Sequence, residues 1–227
     1  MKKRTAFIGA ILSLIPLGQP LILKTSAFLS ATGFLLSVSD KANAESANFY
    51  FDRAFEKGNN GDHYGAISDY TKAIELNPNY STSFYNRGWN KDSINDHYGA
   101  ISDYTKAIEL DPNYANSYYN RGLSKSKLKD YQGAISDYTK AIELDPTMKS
   151  AYKNRGINKA NLKNYYGAIS DYTIAIEINP YDTDLYINRS ISKEKLGDIR
   201  GACVDAKKAV SFGDNDPKNK NWIRNNC

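Results

Sequence analysis

Residues 99–114 read GAISDYTKAIELDPNY, and this phrase decides the fold because it recurs at a fixed interval of 34 residues. Further copies begin at Gly65, Gly133 and Gly167, and a diverged fifth copy, GACVDAKKAVSFGDND, begins at Gly201. A period in this range is typical of one helical unit copied in tandem, in which each copy buries its apolar face against the next. The sequence therefore predicts a stack of like units over most of the chain.

Each unit is predicted to hold two helices joined by a short turn. Within the repeated phrase, apolar residues recur at the spacing of one helix face, as in Ala66, Ile67, Tyr70, Ala73 and Ile74. The proline that follows disfavours helix in the residue before it and so sets the end of this second helix. Its start is marked by residue types that cap helix N-termini well: Asp62, Asp96, Asp130, Asn164 and Asp198.

The aligned units resemble the tetratricopeptide repeat (TPR) family. The resemblance rests on an aromatic ring at position 4 of the unit, a small residue at 8, alanine at 20 and 27, tyrosine at 24 and proline at 32. In the third unit these include Gly122, Ala134, Tyr138 and Pro146. The units are residues 47–80, 81–114, 115–148, 149–182 and a degenerate fifth, 183–216, which has Ala206 and Asp214 in place of the tyrosine and the proline. The resemblance implies an all-α fold, a right-handed superhelical solenoid of antiparallel helix pairs.

Positions 7, 11 and 23 carry charges that are unusual for this family, which commonly has apolar residues at 7 and 11. Every unit has arginine at 7, lysine at 11 and aspartate at 23, as in Arg121, Lys125 and Asp137. A partly buried guanidinium needs an anionic partner, so we predict that each arginine pairs with the aspartate of its own or an adjacent unit. The alternative is that the long stems carry the charged heads into water.

The N-terminus has the pattern of a secretory signal: basic residues at 2–4, an apolar stretch, and the A-x-A sequence at 42–44. We predict that residues 1–44 are removed after Ala44 and that the protein is exported to the periplasm or the medium. This tyrosine-rich form of the repeat resembles versions found in photosynthetic bacteria, and the resemblance implies a thylakoid lumen as a further location of the exported protein. The alternative is an uncleaved membrane anchor, because the apolar run 5–23 approaches the length that spans a bilayer. Membrane contact is expected only in that case.

The charge of the chain belongs largely to this leader. The whole chain carries a formal charge of +5, whereas the leader holds five basic residues against one acidic residue. The remaining part is therefore close to neutral, and it has no basic stripe with interleaved aromatic rings. Nucleic-acid binding is not predicted.

Catalytic residue patterns are also missing from the sequence. The two histidines, His63 and His97, occupy equivalent positions of successive units, and we interpret them as partly packed surface residues. We find neither a glycine-rich phosphate loop nor a nucleophile spaced from a base. The sequence predicts a protein that is not an enzyme, with no catalytic residue, metal site or cofactor.

Two cysteines, Cys203 and Cys227, lie near the C-terminus. In an exported protein an even pair favours a disulfide, and a loop of this length contributes about 3 kcal/mol. We predict that the capping tail, residues 217–227 with Trp222 and Ile223, folds over the last unit, because terminal units need a cap. The alternative is a free, buried thiol at Cys203.

The resemblance also indicates where a partner binds. In this family the first helix of each unit lines a concave groove, and asparagines at position 6 resemble a ladder that holds an extended peptide. An amide offers both a donor and an acceptor, as a peptide backbone does. The alternative is that these asparagines were copied with the unit and only keep the surface polar. The predicted groove residues are Asn86, Asn120, Asn154 and Asn188, beside Tyr85, Trp89, Tyr119 and Leu123.

The sequence therefore predicts an exported, non-enzymatic interaction module that binds a peptide or protein partner in a concave groove. The alternative is a structural or assembly scaffold that associates with its own copies, or tethers a complex, through other faces.

Overall fold

A computed structural model describes residues 44–227, so the predicted leader, except for its last residue, lies outside the described part. Residues 46–227 form one compact unit. No strand occurs in the described part, and none of its helices is long and apolar enough to cross a bilayer. The helices are α1 (44–59), α2 (His63–Leu76), α3 (Ser81–Ser93), α4 (His97–Leu110), α5 (Ala115–Lys127), α6 (Tyr131–Leu144), α7 (Lys149–Asn161), α8 (Tyr165–Ile178), α9 (Thr183–Lys195), α10 (Ile199–Ser211) and α11 (Pro217–Asn226).

Consecutive helices pack against each other, and the first helices of neighbouring units also touch. The predicted caps are confirmed: the side chain of Asp130, for example, accepts a hydrogen bond of 2.9 Å from the backbone N–H of Gly133. The same bond starts α2, α4, α8 and α10. The second helices end at Leu76, Leu110, Leu144 and Ile178, just before each proline dipeptide. This architecture is the predicted all-α solenoid of helix pairs.

The core consists mainly of alanines and of the tyrosine at position 24 in each of the first four units, and a few larger side chains such as Phe84, Tyr152 and Leu185 are buried with them. Tyr104 and Tyr172 are buried, and each ring lies against the glycine at position 8 of its own unit. A Cβ atom on Gly156 would lie 2.6 Å from the ring of Tyr172, so the close approach of α7 to α8 depends on this glycine.

The predicted pairing of arginine with aspartate is confirmed, and it lies within each unit. Arg121 binds Asp137 through two hydrogen bonds, of 2.9 Å from Nε and 2.7 Å from Nη2, and Lys125 Nζ lies 2.7 Å from the same carboxylate. The second cation was not expected. Arg121 Nη1 also donates to Thr105 of the preceding unit at 3.1 Å, so one guanidinium links two units.

The same arrangement occurs at the aspartates of the other units, Asp69, Asp103, Asp171 and Asp205. In the first unit Arg53 is 43% exposed, compared with 16% for Arg121. Even there, the hydrogen bond from Arg53 lowers the pKa of Asp69 to about 2, and Lys57 adds to this effect. That carboxylate therefore stays ionised at physiological pH.

The C-terminal tail forms a helix that closes the last unit. Trp222 Nε1 on α11 donates to Glu194 Oε1 on α9 at 2.9 Å. Cys203 and Cys227 lie beside each other with their Cα atoms 5.7 Å apart, a separation that a disulfide spans. The degenerate unit keeps both of its helices without the tyrosine and the proline, and the ring of Phe212 packs at 5.7 Å from that of Tyr186.

Candidate functional site

The predicted partner-binding residues lie on one face of the first helices α3, α5, α7 and α9. We call this surface the groove face; it is formed by positions 5, 6 and 9 of each unit. Trp89 is 44% exposed, whereas Tyr85, Tyr119 and Leu123 are half-buried. The sequence identified this face from the residues that recur at the same position of successive units. The structure shows how residues of neighbouring units interact.

Asparagines and tyrosines on the groove face are hydrogen-bonded between units. Asn120 Nδ2 donates to the hydroxyl of Tyr85 at 2.9 Å, and Asn154 Nδ2 donates to that of Tyr119 at 3.0 Å. In the first unit Phe51 occupies the position of these tyrosines, so Asn86 has no equivalent hydroxyl in the preceding unit. In the described part of the chain, no group hydrogen-bonds the Oδ1 atom of Asn120 or Asn154. Each pair therefore keeps one free carbonyl oxygen and one tyrosine O–H in a fixed position.

Burial raises the pKa of the Tyr85 hydroxyl to about 12, further above neutrality than its ordinary value. At neutral pH the groove face therefore offers O–H donors beside amide acceptors, at a step of one unit.

Asn188 also lacks a tyrosine partner. The preceding unit has Lys153 at position 5 in place of a tyrosine, and its ammonium lies 2.6 Å from Asp184. Within residues 44–227, the side chain of Asn188 makes no hydrogen bond. The column of amides that looks uniform in the sequence therefore pairs with a tyrosine at Asn120 and Asn154 and not at Asn86 or Asn188.

An apolar cavity of about 210 Å³ opens on the groove face between the first two units. Phe55, Tyr85, Asn86 and Trp89 line it, and Phe55 is 52% exposed. Cavities that enclose a whole small molecule are larger, from about 300 Å³ upward. The size of this cavity suits an apolar side chain of a larger partner.

A second apolar cavity, of about 190 Å³, lies at the other end of the groove face. Ile187 and Ile191 of α9 and Trp222 of α11 contribute to it. The sequence identified Trp222 only as part of a cap, because the position of α11 relative to α9 cannot be read from the repeat.

Polar side chains behind the groove face link the second unit to its neighbours. His63 Nδ1 lies 3.0 Å from Asn90 Oδ1, and the His63 ring lies edge-on to Trp89 at 5.7 Å. Both histidines are partly buried, as the sequence predicted, and both are hydrogen-bonded.

Asp92 lies between His97 and Ser124. His97 Nδ1 is 2.7 Å from one carboxylate oxygen, and Ser124 Oγ donates to the other at 2.7 Å. The serine hydroxyl hydrogen-bonds Asp92 and the backbone and not the histidine, so this arrangement lacks the nucleophile-to-base hydrogen bond that an activated serine needs. Among the described residues, no group of three potential metal ligands comes together.

Models of the tetratricopeptide repeat match residues 47–80 and 115–148, and a TPR repeat model matches residues 93–129. A comparison with curated protein sequences found no match.

Many solved structures share the fold. A MamA protein is 27% identical, with a TM-score of 0.72 over 77% of this chain and 95% of that chain. YrrB, described as a TPR protein with an unusual peptide-binding site, is 20% identical, with a TM-score of 0.72 over 83% of this chain and 97% of that chain. PilF from Pseudomonas aeruginosa is 16% identical, with a TM-score of 0.67 over 82% of this chain and 88% of that chain.

Proposed function

Because the chain belongs to the tetratricopeptide repeat family, we propose that it is a non-enzymatic scaffold that binds an extended segment of a protein partner along the groove face. The observation that carries this proposal is the pairing of Asn120 with Tyr85 and of Asn154 with Tyr119. Each pair offers one acceptor and one donor at successive units, which is what an extended peptide backbone requires. The likeness to YrrB supports a peptide ligand only through the shared fold.

The aromatic cavity of the first two units is proposed as the anchor site. Trp89 and Phe55 present exposed rings there, and buried aromatic anchors supply most of the affinity of many interfaces. The Asn–Tyr pairs then bind the backbone of the segment whatever its side chains are, whereas the cavity selects for one apolar side chain.

Association of copies end to end has less support than groove binding. Position 25 is a threonine in the first four units. Each of these threonines accepts a hydrogen bond from the arginine of the next unit, as Thr105 does from Arg121. The last unit has Lys207 at this position. A second copy placed on this end would bring Arg53 against Lys207, and like charges oppose such a contact.

Removing the groove amides is expected to weaken partner binding without unfolding the protein. Peptides selected from a display library against the wild type should bind Asn120→Ala/Asn154→Ala about tenfold or more weakly, because two backbone contacts are lost. The matched control, Asn79→Ala/Asn113→Ala, removes two exposed amides from the turns between units and should bind as the wild type does. Equal binding by the groove variant and the control would contradict the groove proposal.

We further propose that the protein is exported, to the periplasm, the medium or a thylakoid lumen, and that Cys203 and Cys227 form a disulfide. The leader pattern supports export, and the adjacent cysteines suit an oxidising compartment. The alternative remains a membrane anchor formed by an uncleaved leader.

One mass spectrum under non-reducing conditions tests both statements. Protein purified from the exported fraction should have the mass of residues 45–227 less two hydrogen atoms. A mass that includes the leader would favour the anchor, and two thiols that react with a labelling reagent after denaturation would exclude the disulfide.

A further inference from the structure

The turns that end the first helices contain a backbone position in the left-handed region. It is occupied by Gly61 in the first unit, Asn95 in the second, Lys129 and Lys163 in the third and fourth, and Gly197 in the fifth, with φ between 61° and 83°. In each turn the next residue donates its N–H back to the helix, as Asp130 does to the carbonyl of Lys125 at 2.9 Å. This geometry favours glycine, tolerates asparagine and disfavours a residue such as lysine.

The backbone geometry therefore does not explain why lysine occurs at this position. The negative end of the helix dipole favours a lysine in the last helical turn, where α5 has Lys127 and α9 has Lys195. That benefit is available without a lysine in the left-handed position. Glycine in the first and fifth units shows that the turn forms without a lysine there.

Exposed lysines line this edge of the stack in its C-terminal half only. Within the described residues none of the four forms an ion pair, and we call them the basic edge: Lys127, Lys129, Lys163 and Lys195. In the first two units the corresponding edge has no lysine, whereas the capping aspartates recur along the edge as Asp62, Asp96, Asp130 and Asp198. Lysines outnumber these aspartates in the third and fourth units, so the net charge of the edge changes from negative to positive along the stack.

We propose that the basic edge is a docking surface for an acidic polypeptide segment. Packed helices lie about 8–10 Å apart, and an extended chain advances about 3.3 Å per residue, so carboxylates at every third residue would meet successive units. A flat anionic membrane fits this edge less well, because Asp62 and Asp96 would face it in the first two units. This surface lies outside the residues of the groove proposal and does not depend on it.

Replacing the two strained lysines by glycine separates binding from folding. The probe is a fluorescent dodecapeptide in which Glu-Gly-Ser is repeated four times, and its glutamine analogue measures binding that does not depend on charge. Lys129→Gly/Lys163→Gly should bind the glutamate probe about three- to tenfold more weakly at low salt, the size expected for two exposed ion pairs. Its melting temperature should stay the same or rise, because glycine suits the backbone.

Asn95→Gly is the matched control, since it makes the same backbone change in the second unit without removing a charge. It should bind the probe as the wild type does, and Lys129→Arg/Lys163→Arg should retain binding. Unchanged affinity of the double glycine variant, or an equal loss in Asn95→Gly, would overturn the proposal.

Two further measurements distinguish this surface from others. Asn120→Ala/Asn154→Ala should keep its affinity for the glutamate probe, so a failure of the groove proposal would not be mistaken for a failure of this one. Anionic phosphatidylglycerol vesicles or a single-stranded oligonucleotide, if bound more tightly than the peptide and lost in the double glycine variant, would replace the acidic segment as the ligand.

Discussion

Asp137→Ala is expected to lower the free energy of unfolding by about 2–4 kcal/mol. The aspartate is 5% exposed and neutralises both Arg121 and Lys125, which are 16% and 21% exposed. Removing the carboxylate leaves two cations close together in a partly dry site, and the arginine also loses its orientation toward Thr105. Urea unfolding monitored by circular dichroism measures the change.

The same helix supplies the control. Glu143 pairs with Lys140 at 3.0 Å, but the two side chains are 57% and 47% exposed, so Glu143→Ala should cost no more than about 0.5 kcal/mol. If both variants lose the same stability, the pairing with Asp137 does not stabilise the fold. The alternative, that the charged heads of Arg121 and Lys125 are solvated, then holds. Adding Arg121→Met to Asp137→Ala should recover part of the loss, because an unpaired charge costs more than an apolar side chain of similar size.

Features that depend on one unit could be predicted from the sequence. The caps, the helix ends and the pairing of Arg121 with Asp137 follow from residues at most 16 positions apart in a repeated pattern. The second partner, Lys125, was not predicted. From the sequence, the ammonium group on its long stem could equally be solvated or paired with a carboxylate. The helix α11 was predicted only as a tail, although Asp216 and Pro217 are residue types that commonly start a helix.

Contacts between units could not be predicted, since they depend on how far each unit is shifted and rotated relative to the next. Tyr85 and Asn120 are 35 residues apart, and the sequence identified both positions without the hydrogen bond between them.

Residues that vary between units also determine which buried side chains find a hydrogen-bond partner. Asn90 accepts from His63, whereas the buried Oδ1 of the equivalent Asn158 has no partner in the described structure, because Tyr131 replaces the histidine.

Tyr172→Ala is expected to have the largest effect of any single change, a loss of about 3–5 kcal/mol. The ring is buried among Ala141, Ala151, Ala168 and Leu185, and few of these small neighbours can move to fill the cavity. Tyr166→Ala, a change of the same kind in the same helix, removes a ring that is 77% exposed and should cost no more than about 0.5 kcal/mol.

The degenerate unit suggests how the chain itself compensates for the loss of this ring. It has Ala206 in place of the tyrosine and Ser190 in place of the glycine, and the serine hydroxyl donates to the carbonyl of Ala202 at 2.9 Å. Gly156→Ser alone should cost about 1–3 kcal/mol, because its Cβ would lie 2.6 Å from the ring of Tyr172. In Tyr172→Ala that clash disappears, and the serine occupies part of the cavity.

The double variant Gly156→Ser/Tyr172→Ala should therefore lose less stability than the sum of the two single changes, by more than about 0.5 kcal/mol. Urea unfolding of the four proteins in this cycle measures the coupling. Additive losses would mean that the two positions do not compensate for each other, and that the fifth unit is held instead by the packing of Phe212 against Tyr186 and by α11. A favourable coupling would show that the serine and alanine of the fifth unit are compatible at this contact in place of a glycine and a tyrosine.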